Sequence, residues 1–325
     1  MRKFIALIIC TLFLAGSSNA ELVIAKKNLE WNIGDYVKYE IMGDTFATDF
    51  GKSIGGDDFL EVENFNGTSE DSITGMEIIE LNNQTYDCHI LKRTLSFSFT
   101  MIFKEGSGVS DDEKINFEME YEYNIWQEDI FTTLKSEYSF NYYATWLEDG
   151  ETATYELIQE DDDTHIERQG SWPESFEVGS SWTLSQTTVT SSTTRDRSDG
   201  GEWEVNVAEY EEAVTDDYVI IDESKVTTAA GTFDTLILKN SVQGDGVGNY
   251  TFEYINSDFL SVKREVYEDS EIILTMQIKE YSISSLESQP LEDGDSITEG
   301  LPNLSFLLSV SSIVLIAIVS RVRMN

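Results

Sequence analysis

The sequence predicts an all-β protein: two tandem antiparallel β domains, each a half-barrel or a sandwich, between an N-terminal signal peptide and a C-terminal transmembrane helix. Three observations carry this. Apolar and polar residues alternate with a period of two through most of the chain, landmarks recur in the same order in both halves, and each end carries an uncharged apolar run beside basic residues. Period-two alternation puts one face of a strand into a core and the other into water, the pattern of antiparallel sheet.

Residues 1–20 read as the signal peptide. Arg2 and Lys3 make a basic start, Phe4 to Leu14 an apolar core too short for a comfortable membrane span, and Ser18-Asn19-Ala20 a small-residue cleavage site. Residues 21–160 form the first expected domain. Val37, Tyr39 and Ile41 alternate with Lys38 and Glu40, and Leu95, Phe97, Phe99, Met101 and Phe103 repeat the pattern. The longest run is Ile115, Phe117, Met119, Tyr121, Tyr123 and Ile125, followed by Tyr138, Phe140, Tyr142, Ala144 and Trp146. The charged stretch 161–170 reads as a linker, ending at Ser171-Trp172-Pro173.

The second expected domain, 171–285, continues with Trp203, Val205 and Val207, then Ile272, Leu274, Met276 and Ile278. Turn-forming clusters at Gly106 to Asp112, Asp149-Gly150, Asp199 to Gly201 and Gly244 to Asn249 separate the runs. The chain holds 3 prolines, as suits long hydrogen-bonded ladders. Helical periodicity inside the body shows only briefly, at Val207 to Val214. Residues 286–303 are an acidic stalk with little to bury. Residues 304–320 are uncharged and long enough for a spanning helix, and 321–325, with Arg321 and Arg323, form a cytoplasmic tail that leaves the body outside.

The repeat is set by spacing. Ile33-Gly34 precedes a strand containing Tyr36, and Val178-Gly179 one containing Trp182. Tyr86 follows Gly34 by 52 positions, and Phe233 follows Gly179 by 54. Tyr121, Tyr123 and Asp129 answer to Tyr250, Phe252 and Asp258, each pair 129 apart. Leu134-Lys135-Ser136-Glu137 then answers to Val262-Lys263-Arg264-Glu265. The stretch Ala230 to Lys239, a glycine turn feeding a strand with apolar residues on both faces, is read as central scaffold covered on both sides.

Two resemblances follow from these motifs. The tail Leu301-Pro302-Asn303-Leu304-Ser305, the apolar run and Arg321-Val322-Arg323 together resemble the C-terminal sorting signals of archaeal exported surface proteins. In such proteins a membrane enzyme cuts at a Pro-containing motif and transfers the chain to a lipid; the Pro-Gly-Phe form is absent here, and a plain single-pass anchor is the other reading. The segments Phe176 to Trp182, Val226 to Asp234 and Asp258 to Glu265 resemble exported lipoprotein-carrier domains, whose curved antiparallel sheet holds an apolar ligand. Ala229 stands where that pattern has Pro, and Phe259 where it has Gly.

Composition narrows the chemistry. With 61 acidic against 21 basic residues the formal charge is −40, which repels nucleic acid and anionic surfaces. After cleavage Cys88 is the single thiol, read as buried in a strand. The only imidazoles, His89 and His165, lie far apart in sequence, so no catalytic residue is assigned. No metal or cofactor is assigned either; Asp161-Asp162-Asp163 and the Asp245-Gly246 loop offer oxygen ligands but lack a known calcium spacing. Asn66, Asn83 and Asn249 head glycosylation sequons. No ligand-binding residue is singled out. The expected function is binding or display by a membrane-anchored extracellular protein, its partner an apolar or lipid-like ligand or another surface protein. The alternative is a structural or adhesive envelope component with contacts that depend on divalent cations.

Overall fold

A computed structural model describes residues 22–25, 32–105, 114–129, 132–243 and 248–284. The expected signal peptide, stalk, transmembrane helix and tail therefore lie outside the described residues. The first half contains β1 (Ile24–Ala25), β2 (Tyr36–Met42), α1 (Asp44–Gly55), β3 (Phe59–Leu81), β4 (Gln84–Phe103), β5 (Lys114–Asp129), β6 (Thr132–Glu148) and β7 (Glu151–Gln169). The second contains β8 (Ser175–Phe176), β9 (Ser181–Ser198), β10 (Glu204–Thr228), β11 (Gly231–Val242), β12 (Tyr250–Asn256), β13 (Ser261–Glu268) and β14 (Glu271–Ser282).

The all-β expectation holds, but the two halves do not form two domains. Twelve antiparallel strands close into one barrel in the order β10-β11-β12-β13-β14-β2-β3-β4-β5-β6-β7-β9, with β1 and β8 paired separately. The reason is the edges. Each half supplies six strands in a curved sheet, and an isolated sheet of that kind leaves two unpaired edges. Joining β7 to β9 and β14 to β2 satisfies all four. The expected linker 161–170 lies almost wholly within β7, with Asp161, Asp163 and His165 on the inner face and Asp162 and Thr164 on the outer. Its charge imitates a linker because the barrel interior is polar at that level.

The internal repeat survives inside the single barrel. The turn Asn32 to Asp35 and the turn Glu177 to Ser180 are built alike, with Gly34 and Gly179 at φ +99 and +92. Gly34 N–H donates to Ile73 O and Ile73 N–H to Asp35 O, each at 2.9 Å; Gly179 N–H donates to Ile220 O at 2.8 Å and Ile220 N–H to Ser180 O at 2.9 Å. The Asp35 carboxylate accepts from Asn32 N–H as the Ser180 hydroxyl accepts from Glu177 N–H. The strand landmarks fall on matching strands, β4 with β11, β5 with β12 and β6 with β13, except that Asp129 ends β5 whereas Asp258 lies in the turn after β12.

Alternation assigns the faces. Leu95, Phe97, Phe99, Met101 and Phe103 of β4 and Ile115, Phe117 and Met119 of β5 are buried inward. Asn116, Glu118, Glu120, Glu122 and Asn124 line the outside of β5, so the wall presents polar groups outward, the reverse of a membrane barrel's alternation. In β11 the adjacent residues Thr235 and Leu236, on opposite faces of the strand, are 0 % and 1 % exposed, so this barrel strand is covered on both sides at its middle, while Asp234 is exposed. Val205 and Val207, read as core, point outward and are exposed.

The one helix among the described residues escapes the sequence reading. Phe46, Ala47 and Phe50 share a face of α1, but Gly51 and Gly55 each lower helix propensity by about 1 kcal/mol relative to Ala, and no apolar run marks the segment. The segment expected to show helical periodicity, Val207 to Val214, is strand β10. Glycine lets α1 lie close to the wall: a Cβ on Gly43 would come within 2.7 Å of the Phe65 ring, and one on Gly51 would enter the Phe59 ring.

Candidate functional site

The barrel is lopsided, and the asymmetry positions the site. Strands β3, β4, β5, β6, β7, β9 and β10 have 16 to 25 residues, whereas β2, β11, β12, β13 and β14 have 7 to 12. The long strands rise beyond the short arc, and their inner face there has no strand opposite. On one side α1 fills the concavity: Phe50 packs on Phe99 and Phe117 with ring centroids 6.2 and 5.6 Å away, and Phe46 on Phe97 at 6.2 Å. On the other side β10 pairs with β9 from Glu204 to Val219, but with β11 only from Asp216 onward. Residues 204–213 are all exposed, including the inward-register Asn206, Ala208, Tyr210 and Glu212.

Strand stagger gives the barrel's width. A row of paired residues runs Ile220, Leu238, Glu253, Arg264, Met276, Ile41, Gly67, Phe97, Met119, Tyr142, Leu157, Asp196 and back to β10 at Glu204. One circuit thus shifts the register from Ile220 to Glu204. For twelve strands spaced about 4.8 Å apart, this shear gives a tilt near 43° and a circular radius of about 12 Å. One layer of wall side chains does not fill that width, so the interior is filled only where long side chains or α1 reach in.

Long side chains do so at two places. Asp71 and Arg93, directly opposed on β3 and β4, make a bidentate ion pair at 2.6 and 2.5 Å with both side chains buried. Glu253 and Arg264, opposed on β12 and β13, pair at 2.9 Å. Tyr39 lies between them; burial, with Asp71 next, pushes its phenol pKa well above the ordinary value. Burial alone would lower the Arg93 pKa, but the adjoining Asp71 carboxylate holds it above the usual guanidinium value. These paired charges are scaffold.

The second place is a row that leads inward from the open β10 edge. Ala208, Ser192, Asp161, Tyr138, Tyr123, Arg93 and Asp71 are successive cross-strand partners on β10, β9, β7, β6, β5, β4 and β3. Ala208 is exposed, Asp161 is half-buried, and Tyr138 and Tyr123 are 5 % and 1 % exposed. One turn of register away, Asp163 accepts from Thr190 Oγ1 at 2.6 Å and Ser136 Oγ at 3.3 Å. Asp161 Oδ2 accepts from Gln159 Nε2 at 2.8 Å. Burial raises the pKa of both carboxyls; hydrogen bonds from Ser192 and Gln159 oppose the shift at Asp161, and that from Thr190 at Asp163. Among the described residues neither makes an ion pair.

His165, next inward on β7, is buried, and its Nδ1 lies 2.8 Å from Thr188 Oγ1 and 2.7 Å from Gln186 Nε2. Burial, with the Arg168 charge, lowers its pKa to about 3, so Nδ1 accepts from the Gln186 amide as a neutral imidazole. Asp161, Asp162 and Asp163 alternate faces of a strand, so the calcium reading of that run fails: its carboxylates do not converge. The Asp245-Gly246 loop lies outside the described residues.

The remaining sequence expectations fall elsewhere. Asn66 and Asn83 are exposed, on β3 and in the β3–β4 turn, whereas Asn249 is half-buried and its Oδ1 accepts from Asp269 N–H at 3.1 Å. Cys88 is buried in β4 beside Trp126 and Leu134, and burial raises its thiol pKa to about 11. His89 lies on β4, away from His165 on β7. Sequence reasoning missed Tyr138, Asp161 and Ser192 as neighbours. The signal was parity: counting inward by twos from Leu157 reaches Gln159, Asp161 and Asp163 without a break. Comparison of the chain with family models, with curated proteins and with solved structures finds no match in any of the three.

Proposed function

We propose that this chain is a non-enzymatic binding protein, held at the outside of a membrane by residues 304–320, whose barrel takes an elongated ligand, largely apolar with one polar end. The observation that carries it is the unopposed inner face of the long strands. Aromatic rings line it on the α1 side, a polar row crosses it on the β9 side, and the β10 edge leaves it open to solvent. Apolar, mostly concave surfaces with a few placed polar groups are what ligand sites require. The lipoprotein-carrier resemblance points the same way, with α1 occupying part of the space such a ligand needs. Native mass spectrometry of the purified protein tests this: a retained small molecule is expected, and a mass equal to the polypeptide alone after gentle desolvation, with no uptake of added lipids, overturns it.

One observation favours a second reading, the adhesive envelope component. Residues 204–215 of β10 form a long edge with Glu204, Glu209, Glu211 and Glu212 beside exposed Val205 and Val207. An unpaired edge is a template for strand addition, and its carboxylates require neutralisation first. Sedimentation velocity with calcium and with chelator separates the readings: a calcium-dependent dimer supports adhesion, and a monomer in both conditions removes it.

A further inference from the structure

We propose that the polar end of the ligand is an organic ammonium group, bound between Asp161, Tyr138 and Tyr123 on the inner face of β5, β6 and β7. The inference rests on the ligand-holding reading above and gives its head-group chemistry. Two buried polar atoms on neighbouring strands carry it. The Tyr138 hydroxyl and Asp161 Oδ1 are both without a hydrogen-bond partner among the described residues, although Tyr138 and Asp161 are direct cross-strand partners. A buried carboxylate oxygen left without a donor costs about 1–3 kcal/mol. A donor group placed against Asp161 Oδ1 removes that cost, and the Tyr138 oxygen offers the same donor a second acceptor.

The surroundings decide the chemistry of that group. Asp161 and Asp163 bring two carboxyls to the inner face of β7 with no ion-paired cation among the described residues, so the site lacks positive charge and not negative. An anion or a carbonyl would find the Tyr138 hydroxyl and, beyond Tyr123, an Arg93 guanidinium already neutralised by Asp71, and would face two carboxyls. A hard divalent cation needs six or more converging oxygens, and the inner-face carboxyls here number two. An ammonium needs one carboxylate oxygen, one neutral acceptor and aromatic faces. The Tyr123 and Tyr138 rings stand 4.8 Å apart, and Tyr121 stands 6.2 Å from Tyr138 and 4.5 Å from Phe140. The ammonium donates to Asp161 Oδ1 and to the Tyr138 hydroxyl oxygen, and its alkyl chain runs along Tyr121 and Phe140 toward the apolar end. The route in is the same row, from exposed Ala208 past Ser192 to Asp161.

The burial-raised Asp161 pKa makes binding proton-linked: ammonium stabilises the carboxylate, so affinity rises with pH through the acid range. Isothermal titration of the full-length protein with hexylammonium chloride, 1-hexanol and sodium hexanoate at pH 7 tests the inference. Hexylammonium is expected to bind at least tenfold more tightly than hexanol, and hexanoate most weakly. Asp161→Asn should bring hexylammonium down to the affinity of hexanol and leave hexanol unchanged, and Tyr138→Phe should weaken hexylammonium several-fold. Hexanol binding as tightly as hexylammonium overturns the head-group assignment while the ligand-holding reading stands. Failure of all three to bind overturns both. The wild-type ranking decides the question even if Asp161→Asn does not fold.

Discussion

Replacing Asp71 with Leu should be among the costliest single changes in the barrel, and replacing Asp71 and Arg93 together should restore most of the loss. Asp71 accepts both Arg93 hydrogen bonds, at 2.6 and 2.5 Å, and the two side chains are 4 % and 5 % exposed, so water screens neither. Asp71→Leu leaves a guanidinium in the interior without its pair, which costs about 3–5 kcal/mol. For a domain of this size that corresponds to a fall in Tm of roughly 10 °C. Asp71→Leu with Arg93→Met removes both charges and fills the space with apolar groups, so it should lie within about 1–2 kcal/mol of the wild type. Urea unfolding of the wild type, Asp71→Leu, Arg93→Met and the double variant makes the cycle. A loss below about 1 kcal/mol for Asp71→Leu, or a double variant as unstable as the two single losses added, refutes the reasoning.

Other consequences concern backbone and protonation. Phe259 has φ +63 and is buried against Phe176 at 5.0 Å, so Phe259→Ala loses packing and keeps the strain, whereas Phe259→Gly loses packing and releases it. The glycine variant should be the more stable by about 1 kcal/mol, which chemical denaturation reads directly. Gly51→Ala, which in an exposed helix stabilises by about 1 kcal/mol, should here destabilise by roughly 1–3 kcal/mol because its Cβ enters the Phe59 ring. Equal or higher Tm would show that α1 does not lie against β3. His165 has its pKa lowered to about 3 from 6.5, so the unfolded chain takes up a proton that the folded one refuses between those values. Stability should therefore fall as pH drops below 6.5, by about 1.4 kcal/mol per unit from this group. His165→Gln should remove that slope. Asp161 and Asp163 act oppositely, because a raised carboxyl pKa contributes stability at low pH that is lost as pH rises through the folded value.

Much of this fold was legible in sequence because strands on a one-sided wall alternate. The runs from Leu95 to Phe103 and Ile115 to Ile125 gave both secondary structure and facing, and the Gly34 and Gly179 turns fixed the repeat. Phe259 occupies a left-handed position where the lipoprotein-carrier pattern has glycine, so that departure in sequence is also a departure in local strain. Closure was not legible. Whether two six-stranded sheets stay apart or join depends on pairing between residues as distant as Tyr39 and Ile278, which no local pattern records. The candidate site was hidden for a related reason: Asp161 and Asp163 are charged residues on an inward face, and composition alone reads such residues as linker or turn. Helix α1 was hidden by its glycines, which serve close packing on Phe59 and Phe65 and not helix propensity.

The central claim is that the two halves share one wall, and amide hydrogen exchange at the seams tests it most directly. In the closed barrel β7 from Tyr155 to Thr164 pairs with both β6 and β9, and β14 from Thr275 to Gln277 pairs with both β13 and β2. Their amides should exchange as slowly as the β4–β5 amides at the centre of the first half. Two separate domains would make β2, β7, β9 and β14 edge strands, and alternate amides along each would exchange within minutes while β4 and β5 stayed protected.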